Sequence, residues 1–168
     1  MSQQDTASSA QLWNLIKDIK FAMFTTRHHN GHLHSRPMTT QNTPVDEDSS
    51  LWFFMSRSGE PVADLEAEPN VNVVYADPDD DSYVSVSGTA RVVDNLTKKE
   101  QLWSKLNEAW FPGGVTDPDL ALVQVQITHA NYWDVKSSKL VQLFTMARAA
   151  ITGRTPDSMV EHGEVRMR

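Results

Sequence analysis

Arg36 and Arg57 are the only lysine or arginine side chains between His28 and Ala90, in a chain of formal charge -7. Each lies among hydroxyls. Ser35, Thr39 and Thr40 surround the first, Ser56 and Ser58 flank the second, and Gly59 opens a helix just beyond. A guanidinium fork, short hydroxyl donors and the free N–H groups of a helix start are what a phosphate monoester requires. Any anion bound to this stretch must be held largely by these groups. Arg36 and Arg57 also read as ordinary surface residues of strands, and local physics does not separate the two readings.

Other clusters carry weaker chemical signals. His28, His29, His32 and His34 could ligate a metal. In a hairpin, though, His32 and His34 would share one face with His28 and His29 pointing oppositely, and no carboxylate lies nearby in sequence to complete a set. The expectation is a polar hairpin turn and no metal site, with metal binding by the histidines as the alternative. Asp77, Asp79, Asp80 and Asp81 suggest calcium, but Ser82 and Gly88 stand where an EF-hand would need its central glycine and its bidentate glutamate. A solvated turn is expected. There is no nucleophile elbow, P-loop or dinucleotide fingerprint, and Gly113-Gly114 follows a helix rather than a strand. Trp52, Trp103, Trp110 and Trp133 read as core or interface packing, while Trp110 and Phe111 sit on a glycine loop that could cover a planar ligand.

The elements that must position these residues follow from periodicity. Ser8 and Gln11 have capping-box spacing ahead of a helical stripe of Leu12, Leu15, Ile16 and Ile19. Residues 21–26 and 33–40 predict a hairpin turned at His29-Asn30-Gly31. A polar loop then leads to a strand over 51–56. Pro61 belongs in the first turn of a short helix, where its missing N–H costs nothing, and Pro69 ends that helix. Val71, Val73 and Tyr75 alternate in the next strand. Over 83–93, Val84, Val86, Ala90 and Val92 share one face, and Ser85, Ser87, Thr89 and Arg91 the other. Thr97 and Glu100 suggest a helix over 98–109 with Leu102, Trp103 and Leu106 inward, followed by the loop WFPGGVTDPD with unusual backbone angles at Gly113 and Gly114. A long strand over 120–135 and a helix from Ser138 to about Gly153 complete one domain, residues 1–153. Residues 154–168 read as a polar, loosely held tail. The fold class is mainly β with flanking helices, the six strands forming a small antiparallel barrel. Strand edges left by imperfect closure would be covered by a partner subunit, which predicts a dimer.

Composition narrows the function. Hydrophobic residues make up 39% and charged residues 22% of the 168, the balance of a chain that folds rather than stays disordered. An acidic pI near 5.2 leaves no basic stripe for nucleic acid. The lack of cysteine excludes disulfides, thiolate metal sites and a cysteine nucleophile. No run suits a signal peptide or a membrane span, so a soluble, cytoplasmic protein is expected.

With the strand ending SRPM, LWFFMSRSG with its helix and EPNVNVVYAD, then YVSVSGTARVVD, AWFPGGVTDPDLALVQVQ and NYWDV, the chain resembles the FMN-binding split-barrel proteins related to pyridoxamine 5'-phosphate oxidase. Within them it is similar to the general stress protein 26-like branch. The order of the motifs and the WFPGG…DPDLALV segment are the more specific part of the match. The resemblance implies a six-stranded antiparallel split β-barrel of the FMN-binding type, a homodimer, and FMN at the dimer interface. It places Arg36, Pro37, Met38 and Thr39 along the flavin, and Met55, Ser56, Arg57 and Ser58 at the ribityl and phosphate groups. Trp110 and Phe111 would reach the flavin from the other subunit. Two cations common in relatives are replaced, one by Pro61 at the start of the short helix and one by Gln41 after Arg36, which leaves Arg57 as the substitute. Oxidase activity on pyridoxine compounds is therefore not carried over. What the resemblance implies is an FMN flavoprotein, either an oxidoreductase that takes electrons from a nicotinamide donor or a non-catalytic module that binds or sequesters flavin. A deazaflavin or a haem in the same barrel is a third reading.

Overall fold

The computed structural model describes residues 3–134, 146 and 161–166. The first helix, α1 (Gln3–Ile16), begins earlier than the Ser8 capping box suggested. Its apolar stripe behaves as expected: Leu12 and Ile16 are buried, and Leu15 and Ile19 pack beside them. Then come β1 (Ala22–Arg27), β2 (Leu33–Met38), β3 (Ser50–Ser56), α2 (Glu60–Ala67), β4 (Asn70–Asp77), β5 (Ser82–Val92), α3 (Leu96–Leu102), two 3-10 turns (Lys105–Ala109 and Gly114–Thr116), β6 (Leu120–Asp134) and β7 (Glu161–Arg166). The helix expected from Ser138 to Gly153 lies outside the described residues, apart from Met146.

The strands form one antiparallel sheet of order β2-β1-β4-β5-β6-β3, with β7 added to β6. The ends of this path approach each other without closing. Past β2 the chain reaches β3 through a single bridge, Thr40 to Phe53, and through Gln41 N–H donating to Trp52 O at 2.8 Å. This is a split barrel, with seven strands instead of the expected six. Polar residues 161–166 pair along β6 from Asp134 to His129, where a loose tail was expected. One apolar residue, Val165, is buried in the barrel core, and the upper half of β6 offers a free edge for the backbone pairing, because β3 occupies only residues 120–126. The 15 residues of β6 thus serve three neighbours, with β5 along the opposite edge.

Inside the barrel, Phe24 meets Phe53 edge-to-face at 5.1 Å, among Leu51, Val73, Tyr75, Val84, Val86, Val123 and Val125. The alternation expected for β5 holds: Val84, Val86 and Ala90 are buried, while Tyr83, Thr89 and Arg91 are exposed. Gly88 sits where the β5–β6 register shifts, and a Cβ there would collide with Gln126 O and Val125. Only glycine permits that approach. β3 is buried on both faces, because Trp52 and Phe54 point outward into a second cluster with Phe111, Leu120 and Leu122. The loop expected to be a polar surface segment contributes to both sides, with Val45 in the barrel core. Asn42 and Val45 are buried, and Asp46 accepts from Trp52 Nε1 at 2.6 Å and from Lys98 Nζ at 2.7 Å.

The helix expected over 98–109 is interrupted. α3 starts two residues earlier, capped by Asn95, whose Oδ1 accepts from Lys98 N at 3.0 Å, and it ends at Leu102. A separate 3-10 turn follows, in which Leu106 is 83% exposed rather than inward. Asn, like Thr, makes a good N-cap, and here it lies closer to the strand exit.

Candidate functional site

β1 and β2 are paired so that Thr26 stands opposite His34, and Phe24 opposite Arg36. Residues opposite each other in an antiparallel pair project to the same side. Thr26, His34 and Arg36 therefore share one face, and His28, two residues beyond Thr26, joins them. That face looks onto α2, which packs against β1, β3 and β5. Glu60 and Asp64, one turn apart on α2, meet it.

Their contacts form one network. Arg36 Nη1 donates to Thr26 Oγ1 at 2.7 Å, and Nη2 donates to Glu60 Oε1 at 3.3 Å and lies 3.8 Å from Asp64 Oδ2. Thr26 Oγ1 in turn donates to Asp64 Oδ2 at 2.8 Å. His28 Nδ1 is 2.8 Å from Asp64 Oδ1, and His34 Nδ1 is 2.6 Å from Glu60 Oε1. The His28 and His34 rings stack nearly parallel, 5.1 Å apart. Asp64 is buried, which by itself disfavours its charge. The hydrogen bonds from Thr26 and His28, with the electrostatic influence of His28 and Arg36, outweigh that burial and hold its carboxyl below the usual range. The hairpin reading of the histidines is corrected here. His28 and His34 share a side, and the carboxylates that complete the set come from α2, 36 and 26 residues away along the chain.

The second half of the expected cradle is built differently. Met55 is buried in the barrel core. Ser56, Arg57 and Ser58 turn out of β3 around one carboxylate: Asp119 Oδ2 accepts from Ser56 Oγ at 2.5 Å, and Oδ1 accepts from Ser58 N at 3.0 Å and Ser58 Oγ at 2.9 Å. These hydrogen bonds hold Asp119 below the usual carboxylate range. Arg57 N–H donates to Asp119 O at 2.7 Å, and among the described residues the Arg57 guanidinium pairs with the exposed Asp94, at 3.2 Å. The turn thus gathers hydroxyl and main-chain donors on an anion, with Asp119 as that anion. α2 then begins at Gly59, whose N-cap position carries no side-chain hydrogen bond.

The remaining expected residues divide between surface and core. Pro37 and Thr39 are exposed and Met38 is half-buried against the core. Gln41 accepts from Asn107 Nδ2 at 3.3 Å. Trp110 is 81% exposed, whereas Phe111 is buried with Trp52, Phe54 and Leu122 and fills the second cluster. The structure therefore joins Arg36 to α2 through Glu60, and joins Ser56 and Ser58 to each other through Asp119. Sequence reasoning missed Thr26, Glu60, Asp64 and Asp119. The i, i+4 spacing of Glu60 and Asp64 was the one local sign that two carboxylates share a helix face.

An open antiparallel split barrel with a helix packed at the exit of β3 defines the class of protein. The chain belongs to the family described as pyridoxamine 5'-phosphate oxidase like, whose model matches residues 7–157. It is general stress protein 26-like. It is 27% identical to general stress protein 26 of Bacillus subtilis over 99 residues, 57% of this chain and 67% of the relative. A general stress protein 26 homologue from Jannaschia superposes with a TM-score of 0.73 at 24% identity, covering 96% of this chain and 98% of the other. The general stress FMN/FAD binding protein of Xanthomonas citri superposes with a TM-score of 0.62 at 30% identity, covering 80% and 90%. Among the described residues, no helix is long and apolar enough to cross a membrane.

Proposed function

We propose that this protein is an FMN-binding flavoprotein that works as a homodimer. The observation that carries the reading is the placement of Arg36. One amine is anchored on Thr26 and the other is presented to the opening of α2, beside a helix start without a side-chain cap. The donor set suits a phosphate. Glu60, which now accepts from Arg36, is 46% exposed and can swing into solvent, so that one anion replaces another on the guanidinium. Arg36 and the α2 start would hold the phosphate, Ser56 and Ser58 the polar chain beside it, and the main chain of residues 36–39 the ring. When bound, the flavin supplies electron transfer; the protein supplies position and electrostatics. The FMN/FAD-binding description of the Xanthomonas citri relative supports the same ligand class.

A second copy accounts for the surface that one chain leaves bare. Met23 and Leu33 are exposed on the outer face of β1 and β2, Tyr83 and Trp133 stand opposite each other on β5 and β6, and Leu106 and Trp110 project from the 3-10 turn. Large apolar side chains exposed in this number favour an association surface. In such a dimer the exposed Trp110 would reach across to a partner's flavin.

Adding FMN to the full chain is expected to quench flavin fluorescence and shift its absorbance at one flavin per chain, and light scattering is expected to give twice the chain mass. A colourless protein indifferent to FMN, FAD and deazaflavin alike would sink the reading. The non-catalytic alternative is favoured by one observation: with Arg36 given to the phosphate, the other arginine of this stretch, Arg57, is peripheral and pairs with the exposed Asp94, so neither is held in place for a charged substrate. Anaerobic mixing with NADH or NADPH separates the two. Rapid bleaching of bound flavin supports an oxidoreductase, and none supports a binding module.

A further inference from the structure

We propose that His28, His34, Glu60 and Asp64 form a site for a divalent transition-metal cation of the zinc type, adjoining the proposed phosphate position and sharing Glu60 with it. Each residue offers one ligand atom, and the four atoms lie within 4.8 Å of one another, the one such group among the described residues that includes histidine and carboxylate together. Two imidazole nitrogens with two carboxylate oxygens are a donor set that zinc and its neighbours accept. In a tetrahedral site with bonds of about 2.0–2.1 Å, ligand atoms stand roughly 3.3–3.4 Å apart. The separation of His28 Nδ1 and Glu60 Oε1 is 3.5 Å, close to that edge. The His28–Asp64 and His34–Glu60 pairs, now at hydrogen-bond distances of 2.8 and 2.6 Å, open slightly around an ion while the longest separation closes.

The frame is fixed where it matters. β2 holds His34 by its pairing with β1, and His28, one residue past β1, is tied by its N–H to His32 O at 2.8 Å across the turn. Asp64 is buried, and its other oxygen is held by Thr26 Oγ1, which orients the carboxylate as an outer-shell partner does in metal sites. Glu60 and His34, 46% and 38% exposed, form the mouth through which an ion enters. The charge also fits. Two carboxylates face two imidazoles and one guanidinium, which leaves the cluster negative when the histidines are neutral. Arg36 competes with the cation for both carboxylates, so its removal is expected to strengthen metal binding.

The test uses the full chain, treated with chelator and titrated with Zn2+ by calorimetry and with Co2+ by visible absorption. The expected result is one Zn2+ per chain with micromolar or tighter affinity and an intense Co2+ band of tetrahedral type. His34→Gln and Glu60→Gln, both at the open mouth where folding is not at risk, are expected to weaken Zn2+ binding at least about tenfold each. Arg36→Met is expected to tighten it by up to about tenfold while weakening flavin binding, and these opposite signs separate the failure of this proposal from failure of the flavin reading. Absence of one-to-one Zn2+ binding, or binding unchanged in both His34→Gln and Glu60→Gln, would overturn the site.

Discussion

The two arginines that look equivalent along the chain occupy opposite physical situations. Arg36 is 19% exposed, anchored on Thr26 and faced by two carboxylates, one of them buried; Arg57 is 40% exposed and touches one carboxylate that is itself 83% exposed. Beside Arg57, the Ser56–Ser58 donors converge on Asp119 and leave the guanidinium outside. A cation becomes selective when its surroundings hold it still and exclude water, and only Arg36 meets that condition. Of the two halves of the expected cradle, one is thus a charged network and the other is a hydroxyl turn whose arginine is peripheral.

The largest effect is expected where the network is buried. Asp64→Ala leaves Arg36, His28 and Thr26 facing an emptied site, and should cost about 2–4 kcal/mol in chemical denaturation, somewhat less than a fully buried pair because Glu60 and His34 admit solvent. A loss below about 0.5 kcal/mol would show that the network is no more structural than the surface pair. Next in size is flavin affinity. Arg36→Ala is expected to lower it about 10- to 100-fold, the worth of charge-assisted hydrogen bonds, and Arg57→Ala by less than about threefold. Equal losses in a fluorescence titration would erase the distinction between the two arginines.

Acid titration probes the turn. The Ser56 and Ser58 hydrogen bonds lower the Asp119 pKa in the folded chain, so their contribution is present above the unfolded value of about 3.9 and is lost as pH falls through the folded one. Asp119→Asn should melt earlier than the wild type at neutral pH, and the two melting temperatures should converge on acidification. A constant gap would mean that the charge of Asp119 is irrelevant. The smallest effect is that of Arg57→Ala on stability, within about 0.5 kcal/mol in the same denaturation assay, because the Arg57–Asp94 pair is solvent-exposed.

Strands were legible wherever one face is buried. Val84, Val86 and Ala90 alternate with polar residues and sit as the alternation requires. Pro61 and Pro69 bracketed α2 correctly, since proline acts through its own backbone. β7 was illegible because a single buried apolar residue, Val165, sets no period, and its pairing rests on a β6 edge that nothing in residues 161–166 announces. The continuous helix expected over 98–109 failed for a related reason. The chain breaks between α3 and the 3-10 turn, so Leu102 and Trp103 pack beside the second cluster while Leu106, beyond the break, points outward.

Local chemistry, then, was enough to establish a mainly antiparallel domain, the two arginines with their hydroxyls, and the position of α2, because propensity, alternation and proline act over a few residues. The partners of those arginines depended on the folded chain. Glu60 and Asp64 meet β1 and β2 only when α2 packs beneath the hairpin, and Asp119 meets Ser56 only when β6 pairs with β3. Charge and hydrogen bonding act through space, so residues 63 apart in sequence can share one carboxylate while Arg57, beside Ser56 in the chain, reaches another.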